Sequence, residues 1–352
     1  MNLRETVSGG SRGRLIRVVG GVIVSIVALA LVIRTVDLEA AAEALRNADM
    51  RWVALLFVFI SLDIVLRAIR WRLLLKPVAE VPLGATFSSL LVGYLANNIL
   101  PARLGELVRC HVLGDRTGVP RPTILGTVVV ERIVDTAVVV AIAALAILVL
   151  SVRGIVASAV LVGLAITALL ILGVAAAMAA HRLPGAERIA ARLAERPSLA
   201  RALGRLREGL AVAGRPRTMV QTVVLSIGGW SATVLCFAAA GQAVGIEPTL
   251  GQAALLAAGT NLATAVPSGP GYIGTFELAA VTIAVSVGLP EGPALAMALI
   301  VQVSTLLLTS AGGAVAFVSG DIAQTRRTIR EAGTTKPGAT PTDRSQVARP
   351  LR

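Results

Sequence analysis

Long apolar stretches constrain this chain more than any other feature of its sequence. They lie at about 15–33, 52–66, 123–150, 155–180, 219–245 and 294–318. A helix needs about 20 mostly apolar residues to cross the hydrocarbon core of a bilayer. The stretches lack the alternation of a barrel strand, and 55% of all residues are hydrophobic. The sequence therefore predicts an all-α polytopic membrane protein with about six full spans.

Arginine-rich segments predict the orientation of these spans. The N-terminal segment 1–14, the loop 182–217 and the tail 321–352 carry much of the net charge of +13. In a soluble protein such a surplus suggests nucleic acid, but basic segments beside apolar spans are typical of cytoplasmic loops. We therefore expect no nucleic-acid partner, cytoplasmic termini, a transmembrane domain over 15–320 and a disordered tail over 321–352.

The loop 182–217 contains a leucine pattern at helical spacing. The leucines are Leu199, Leu203, Leu206 and Leu210. Arg201, Arg205 and Glu208 fall on the opposite face, which is the pattern of an amphipathic helix on the inner leaflet. An ordinary positive-inside loop accounts for the same residues, and both interpretations stay open.

Residues 84–118 interrupt the apolar pattern with groups that lipid cannot satisfy. If 84–100 crossed the membrane, the basic stretch that follows would lie outside, against the charge bias. A re-entrant hairpin that turns between Pro101 and Gly105 removes this conflict. Broken backbone is tolerated at membrane depth only where it lines a cavity or is buried in protein.

A second broken element, 250–289, repeats the spacing of the first. Gly93 stands eight residues before Pro101, as Gly259 stands eight residues before Pro267. A Glu-Leu pair and a closing Gly-X-Pro follow in both, and three predicted spans separate the two copies. An odd number of spans gives the hairpins opposite orientations, as in transporters with inverted repeats. The predicted helix-break residues are Pro101, Gly105, Pro267, Gly269, Gly271 and Gly274.

The stretch 123–150 carries Glu131, Arg132 and Asp135. Each charge costs about 2.5–3.5 kcal/mol at a helix centre. At about 100° per residue the three share one face, so they are able to point into the protein interior together. Asp63, Arg67 and Arg70 share a face of the second span in the same way.

Arginines beside a helix break suit a phosphate group, because a guanidinium binds phosphate oxygens with two parallel hydrogen bonds. The candidate substrate-binding residues are Asn98, Arg103, Glu106, Arg109, Glu131, Arg132, Asp135 and Glu277. The acids balance these charges, bind a cationic head group or carry protons. Internal ion pairs are the alternative for the whole set, and we favour ion pairs or snorkelling for Arg70, Arg72 and Arg116.

At these residues the chain resembles the flippase-like membrane domain of bacterial lysylphosphatidylglycerol synthases and its stand-alone relatives. The matching stretches are RAIRWRLLL (67–75), NILPARLGELVR (98–109), VVERIVDTAVV (129–139) and PSGPGYIGTFE (267–277). The resemblance implies a bacterial inner-membrane protein that moves a lipid between leaflets. Its lipid would be an anionic or aminoacylated phospholipid or a polyprenyl-linked lipid with a phosphate head group. The synthases continue into a soluble aminoacyl-transferase domain, so we expect no such activity from this chain.

Two other classes of function compete with a flippase. One is a non-transporting scaffold that presents its basic surface to a lipid synthase or glycosyltransferase. The other is a membrane enzyme, for which the sequence shows no nucleotide loop, nucleophile set or metal ligands. With two cysteines and two histidines, the sequence predicts no metal and no cofactor, and it gives no indication of oligomeric state.

Overall fold

The computed structural model describes residues 23–100, 104–179, 197–264 and 268–334. Within these ranges the chain is helical and forms no strand. The helices are α1 (Ile23–Thr35), α2 (Leu38–Arg46), α3 (Met50–Leu75), α4 (Leu83–Ile99), α5 (Gly105–Thr117), α6 (Arg121–Leu150), α7 (Ile155–Ala179), α8 (Pro197–Leu210), α9 (Pro216–Ala243), α10 (Leu250–Ala263), α11 (Thr275–Ser286) and α12 (Glu291–Thr334).

Five of these helices are long and apolar enough to cross a membrane. They are α3, α6, α7, α9 and the Glu291–Gly320 part of α12. They correspond to five of the six predicted spans. The sixth is α1, which is described from Ile23 onward, while residues 15–22 lie outside the described ranges. The all-α polytopic membrane fold predicted from the sequence is confirmed.

The last helix is longer than expected. It continues to Thr334, so residues 321–334 are helical where a disordered tail was predicted. The segment contains Ala, Gln, Arg and Glu, which are good helix formers, whereas the stretch rich in Pro, Thr and Gly that suggested disorder lies after residue 333. Residues 335–352, which complete the predicted tail, and the N-terminal segment 1–14 lie outside the described ranges.

The two broken elements each form a pair of short helices packed against each other. The first pair is α4 and α5, and the second is α10 and α11, with a short 3-10 turn at Pro270–Tyr272 between them. The longest of the four has 17 residues, which gives about 25 Å at 1.5 Å per residue. That is less than the roughly 30 Å of a hydrocarbon core, so none of the four is long enough to cross alone.

The order of contacts repeats along the chain. Helix α4 packs on α12 as α10 packs on α6, and the short helix α2 packs on α12 as α8 packs on α6. Both hairpins end at a glycine with positive φ, 73° at Gly118 and 80° at Gly288, and each glycine is followed two residues later by a proline. The repeat therefore extends beyond the hairpins, to α2–α6 and α8–α12.

The two repeats run in opposite directions. Helices α3 and α9 form the most extensive pair in the structure and are antiparallel. At one end the Asp49 backbone N–H donates to the Ala243 carbonyl oxygen at 2.9 Å. At the other end Arg70 Nη1 donates to Ser226 Oγ at 2.7 Å. Because α3 and α9 hold equivalent places in the repeats, their antiparallel packing makes the repeat inverted, as the sequence predicted.

The amphipathic helix predicted in loop 182–217 is present as α8. Its N-terminal leucines, Leu199 and Leu203, are 44% and 41% exposed. Its C-terminal end packs instead on α6, where Leu210 and Leu206 join a cluster with Val130 and Leu74. The helix is thus held by the protein at one end. Residues 182–196 of the loop lie outside the described ranges.

The close crossing of α4 and α5 predicts a strong effect of Gly105→Ala. A Cβ at residue 105 would overlap the Gly93 carbonyl oxygen and lie 2.5 Å from Asn97 Oδ1. Overpacking of this kind costs about 1–3 kcal/mol, so the thermal midpoint of the purified protein in detergent should fall by several degrees. Gly84→Ala is the matched control in α4, because nothing lies within 4 Å of its added Cβ. Equal midpoints for the two variants would contradict the crossing.

Candidate functional site

A cavity of about 290 Å³ lies where the two hairpins meet the long helices. Its wall includes Gly93, Asn98 and Glu106 from the first hairpin, and Thr260 and Gly271 from the second. The 3-10 turn of the second hairpin also packs directly on α4. The cavity thus lies at the broken helices, where the sequence predicted that the interrupted backbone would face the protein interior.

The turn of the first hairpin is held by two asparagines. The Gly105 backbone N–H donates to Asn97 Oδ1 at 2.7 Å, which satisfies one free donor at the start of α5. Asn98 Nδ2 reaches α12 and lies 2.9 Å from both Thr309 Oγ1 and Ser310 Oγ. Asn98 therefore connects the first hairpin to the last helix.

The turn of the second hairpin depends on glycine and on the same last helix. Gly271 has φ of 69° and Gly274 has φ of 89°, values that favour glycine. Gln302 Nε2 of α12 donates to the Gly271 carbonyl oxygen at 2.9 Å, and the Gly269 N–H donates to Ser25 Oγ at 2.9 Å. Helix α12 thus contacts both turns.

A network of buried ion pairs forms the first-repeat side of the cavity. Its pairs are Asp63–Arg67 at 2.8 Å, Arg67–Asp135 at 3.0 Å, Arg70–Asp135 at 2.7 Å, Arg70–Glu131 at 2.9 Å, Arg109–Glu131 at 3.0 Å, Arg132–Glu131 at 2.7 Å and Arg132–Asp135 at 3.5 Å. Four guanidinium groups thus face three carboxylates across α3, α5 and α6. Formal charges leave this network one positive charge in excess.

Two tryptophans support the network. The Arg109 guanidinium lies 4.7 Å from the ring centroid of Trp71, and that of Arg67 lies 5.4 Å from the ring of Trp230. Trp230 Nε1 also donates to Asp135 Oδ1 at 3.0 Å. Stacking on an aromatic face holds a guanidinium in place and adds a favourable electrostatic contact in a desolvated site.

Arg109 and Arg132 have hydrogen-bonding capacity that the described residues leave unused. Buried Nε and Nη1 of Arg109, and Nε of Arg132, have no hydrogen-bond partner there. Both residues line the cavity, and the Arg132 side chain is 42% exposed. A buried donor without a partner costs about 1–3 kcal/mol. Separately, the positive charges of Arg109 and Arg132 beside the cavity favour an anionic occupant.

Most of the candidate residues fall into three groups. Those that line the cavity are Asn98, Glu106, Arg109, Arg132 and Asp135, together with the helix-break residues Gly105 and Gly271. Glu131 is fully buried behind them and contacts three arginines. Pro101, Arg103 and Pro267 lie outside the described residues.

Glu277 has a different environment from the one expected. Its Oε2 accepts a hydrogen bond from the Gly274 N–H at 2.6 Å, so the carboxylate caps its own helix α11. The residue is buried and is not among those that line the cavity. The sequence repeat placed Glu106 and Glu277 at equivalent positions. The longer second turn gives Glu277 a free backbone donor to bind, which changes its environment.

Several residues of the site were not among the candidates. Asp63, Arg67 and Tyr94 line the cavity, and the shared helical face of the first two was the available signal. Arg70 forms internal ion pairs, which confirms the interpretation favoured for it. Arg72 instead donates to the Val81 carbonyl oxygen at 3.0 Å, and Arg116 donates to that of Ala316 at 3.2 Å.

Metal-ligating and nucleophilic side chains are sparse in the described part of the chain. The described residues contain no group of three His, Cys, Asp or Glu side chains that could hold a metal ion. Cys110 and Cys236 are free and buried, and Cys236 is among the residues that line the cavity.

Breaking the network at Glu131 should destabilise the protein. Glu131→Gln removes the charge that faces three arginines, and removing one partner of a buried ion pair costs about 3–5 kcal/mol. Unfolding of the purified protein in detergent should show this loss. Asp115→Asn is the control, because its pair with Arg121 is about half exposed and should contribute less than about 1 kcal/mol. A smaller loss at Glu131 than at Asp115 would refute the network.

Comparison with known proteins supports the relationship that these motifs suggested. The model of the family described as "Lysylphosphatidylglycerol synthase TM region" matches residues 18–313. No solved structure matches the chain.

Three curated relatives share part of the sequence. Glycosyltransferase AglD of Haloferax volcanii is 28% identical over 142 residues, which is 40% of this chain and 23% of the relative. A UPF0104 membrane protein of Methanothermobacter thermautotrophicus is 30% identical over 140 residues, 39% of this chain and 40% of its own length. UPF0104 membrane protein MJ1595 of Methanocaldococcus jannaschii is 29% identical over 119 residues, which is 33% of this chain and 35% of the relative. The match therefore spans less than half of each relative.

Proposed function

The chain belongs to the family of the lysylphosphatidylglycerol synthase TM region, and we propose that it is a flippase that moves a phosphate-bearing lipid between leaflets. The observation that carries the proposal is the cavity at the paired helix breaks, which the positively charged side chains of Arg109 and Arg132 line. The lipid is an anionic or aminoacylated phospholipid or a polyprenyl-linked lipid. Its phosphate binds these arginines while its chains stay in the bilayer.

The inverted repeat supports transport over a scaffold role. A site between two oppositely oriented hairpins is able to open to either leaflet in turn, as in other transporters with inverted repeats. A scaffold has no need of buried charges at a pair of helix breaks, and charges inside a membrane are expensive. We therefore propose a transporter and no enzyme. A lipid synthase or glycosyltransferase is a partner only in supplying the lipid.

Replacing Arg132 should lower lipid transport more than it lowers the stability of the protein. Arg132→Gln removes the charge but keeps much of the side-chain length, and the partly exposed site tolerates the change. Translocation of phosphate-bearing lipid in proteoliposomes, per folded protein, should fall at least about tenfold. Arg132→Lys should rescue it only in part, because an ammonium lacks the planar fork.

Arg121→Gln is the matched control for this experiment. Arg121 lies on the same helix and its side chain is 53% exposed, so its loss should leave transport unchanged. Wild-type transport in Arg132→Gln would remove the support for this cavity as the lipid site and would favour the scaffold.

Charge on the two equivalent short helices supports the proposed orientation. Helix α2 carries Glu39 and Glu43, whereas α8 carries Arg201, Arg205 and Arg207. The inverted repeat places these helices at opposite ends of the bundle. The positive-inside rule then puts α8 and both termini in the cytoplasm. We propose the bacterial inner membrane as the location.

Cysteine labelling tests this orientation. Arg205→Cys and Glu43→Cys place an exposed thiol on α8 and α2, and the native cysteines are buried. A membrane-impermeant maleimide should label Glu43→Cys in intact cells and Arg205→Cys only after permeabilisation. Labelling of Arg205→Cys in intact cells would reverse the orientation.

A further inference from the structure

The inverted repeat gives the cavity two walls that match in position. Arg132 and Gln302 each lie twelve residues after the proline that precedes their helix (132 − 120 and 302 − 290), and Asp135 and Thr305 each lie fifteen residues after it (135 − 120 and 305 − 290). All four line the cavity. The first residues of α3 and α9, Met50 and Pro216, are 166 positions apart in the sequence (216 − 50). The same shift relates Arg67 to Thr233 (67 + 166), and these two also line the cavity.

The two walls differ in chemistry. The charged residues of the cavity are Asp63, Arg67, Glu106, Arg109, Arg132 and Asp135, and all belong to the first repeat. Among the described residues, the second repeat contributes no charged side chain to the cavity. Its polar contributions include Thr233, Thr260, Asn261, Gln302 and Thr305. The repeat is therefore symmetric in backbone and asymmetric in charge.

The neutral wall, which is the second-repeat lining of the cavity, offers hydrogen-bond acceptors through its threonines. Thr233, Thr260 and Thr305 each donate the hydroxyl proton to a carbonyl one turn earlier, at 3.1, 2.7 and 2.7 Å. Gln302 donates one of the two N–H groups of its Nε2 to the Gly271 carbonyl oxygen. A hydroxyl group has one hydrogen-bond donor and two acceptor lone pairs. These threonine oxygens therefore keep lone pairs that accept hydrogen bonds from a ligand. Donors of that kind are O–H and N–H groups.

A cationic donor does not suit this wall. A buried ammonium needs a paired carboxylate, because an unpaired charge out of water is costly. The neutral wall has none. The carboxylate without an ion-pair or hydrogen-bond partner among the described residues, Glu106, lies on the charged wall with Arg109 and Arg132. Hydroxyl groups, and uncharged N–H groups such as those of an amide, are the donors that fit without a counter-charge.

We infer that the transported lipid is a phosphodiester whose head group is uncharged and rich in hydroxyl groups, either a glycerol or a sugar. The phosphate binds the first-repeat arginines and the hydroxyl groups donate to the threonine and glutamine oxygens of the second repeat. This inference rests on the proposed function and narrows its substrate to one class.

Phosphatidylglycerol and phosphatidylmethanol provide a matched pair of substrates, because both carry one negative charge and only the first carries head-group hydroxyls. With the full chain in proteoliposomes, phosphatidylglycerol should be translocated about tenfold faster, which corresponds to one or two hydrogen bonds. A polyprenyl phosphohexose against the methyl ester of the polyprenyl phosphate tests a sugar in the same way. The arm with the larger preference identifies the source of the hydroxyl groups.

Variants of the neutral wall separate binding from folding. Thr233→Val and Thr305→Val each remove a hydrogen-bond acceptor at nearly constant side-chain volume. Each should slow the translocation of phosphatidylglycerol about threefold to tenfold and leave the translocation rate of phosphatidylmethanol unchanged. Thr282→Val is the matched control. Its hydroxyl makes the same bond to the previous turn, at 2.7 Å from the Leu278 carbonyl oxygen, but it lies on the exposed face of α11.

The outcomes distinguish this inference from the proposed function. Translocation of none of these lipids would overturn the flippase itself. The hydroxyl preference would be overturned if phosphatidylglycerol and phosphatidylmethanol moved at equal rates and the polyprenyl phosphohexose moved no faster than the methyl ester. The proposed flippase activity would still hold. Faster movement of an aminoacylated phosphatidylglycerol than of phosphatidylglycerol would also overturn it, in favour of a cationic head group.

Discussion

Charge inside a membrane is the constraint on which the rest of this structure depends. Four arginines of α3, α5 and α6 are kept in the bundle by three carboxylates, with pair distances from 2.7 to 3.5 Å. Glu131 is fully buried among them. Such groups are tolerated because each is paired or faces a cavity. The long helices must therefore pack so that these side chains meet, and the lipid-facing surfaces remain apolar.

The inverted repeat explains how the broken helices coexist with this packing. Helix α12 bonds to both hairpins, to the Asn98 side chain of the first and, through Gln302, to the Gly271 carbonyl oxygen of the second. The short helices that precede α3 and α9 pack on the opposite repeat. Among the described residues that line the cavity, the charged side chains come from the first repeat and the second repeat contributes neutral ones.

Much of the fold followed from sequence patterns because membrane helices have strong local signals. Hydropathy located the spans, and arginine bias with Pro101 and Gly105 predicted the first hairpin. The Gly-X-Pro spacing found the repeat. Helix propensity was underestimated for residues 321–334, which continue α12. The sequence did not predict that Glu277 caps its own helix, because that contact depends on the backbone donors of the neighbouring turn.

The sequence by itself determined the all-α polytopic class, the two interruptions and the presence of arginine and carboxylate side chains at membrane depth. These depend on hydropathy and on residues that break helices locally. Only the tertiary structure decided which charges pair, which line the cavity and that the second repeat faces them with neutral oxygens. Those properties are set by contacts between residues far apart in the chain, such as Arg70 with Asp135 and Asn98 with Thr309. No local pattern encodes the distance between them.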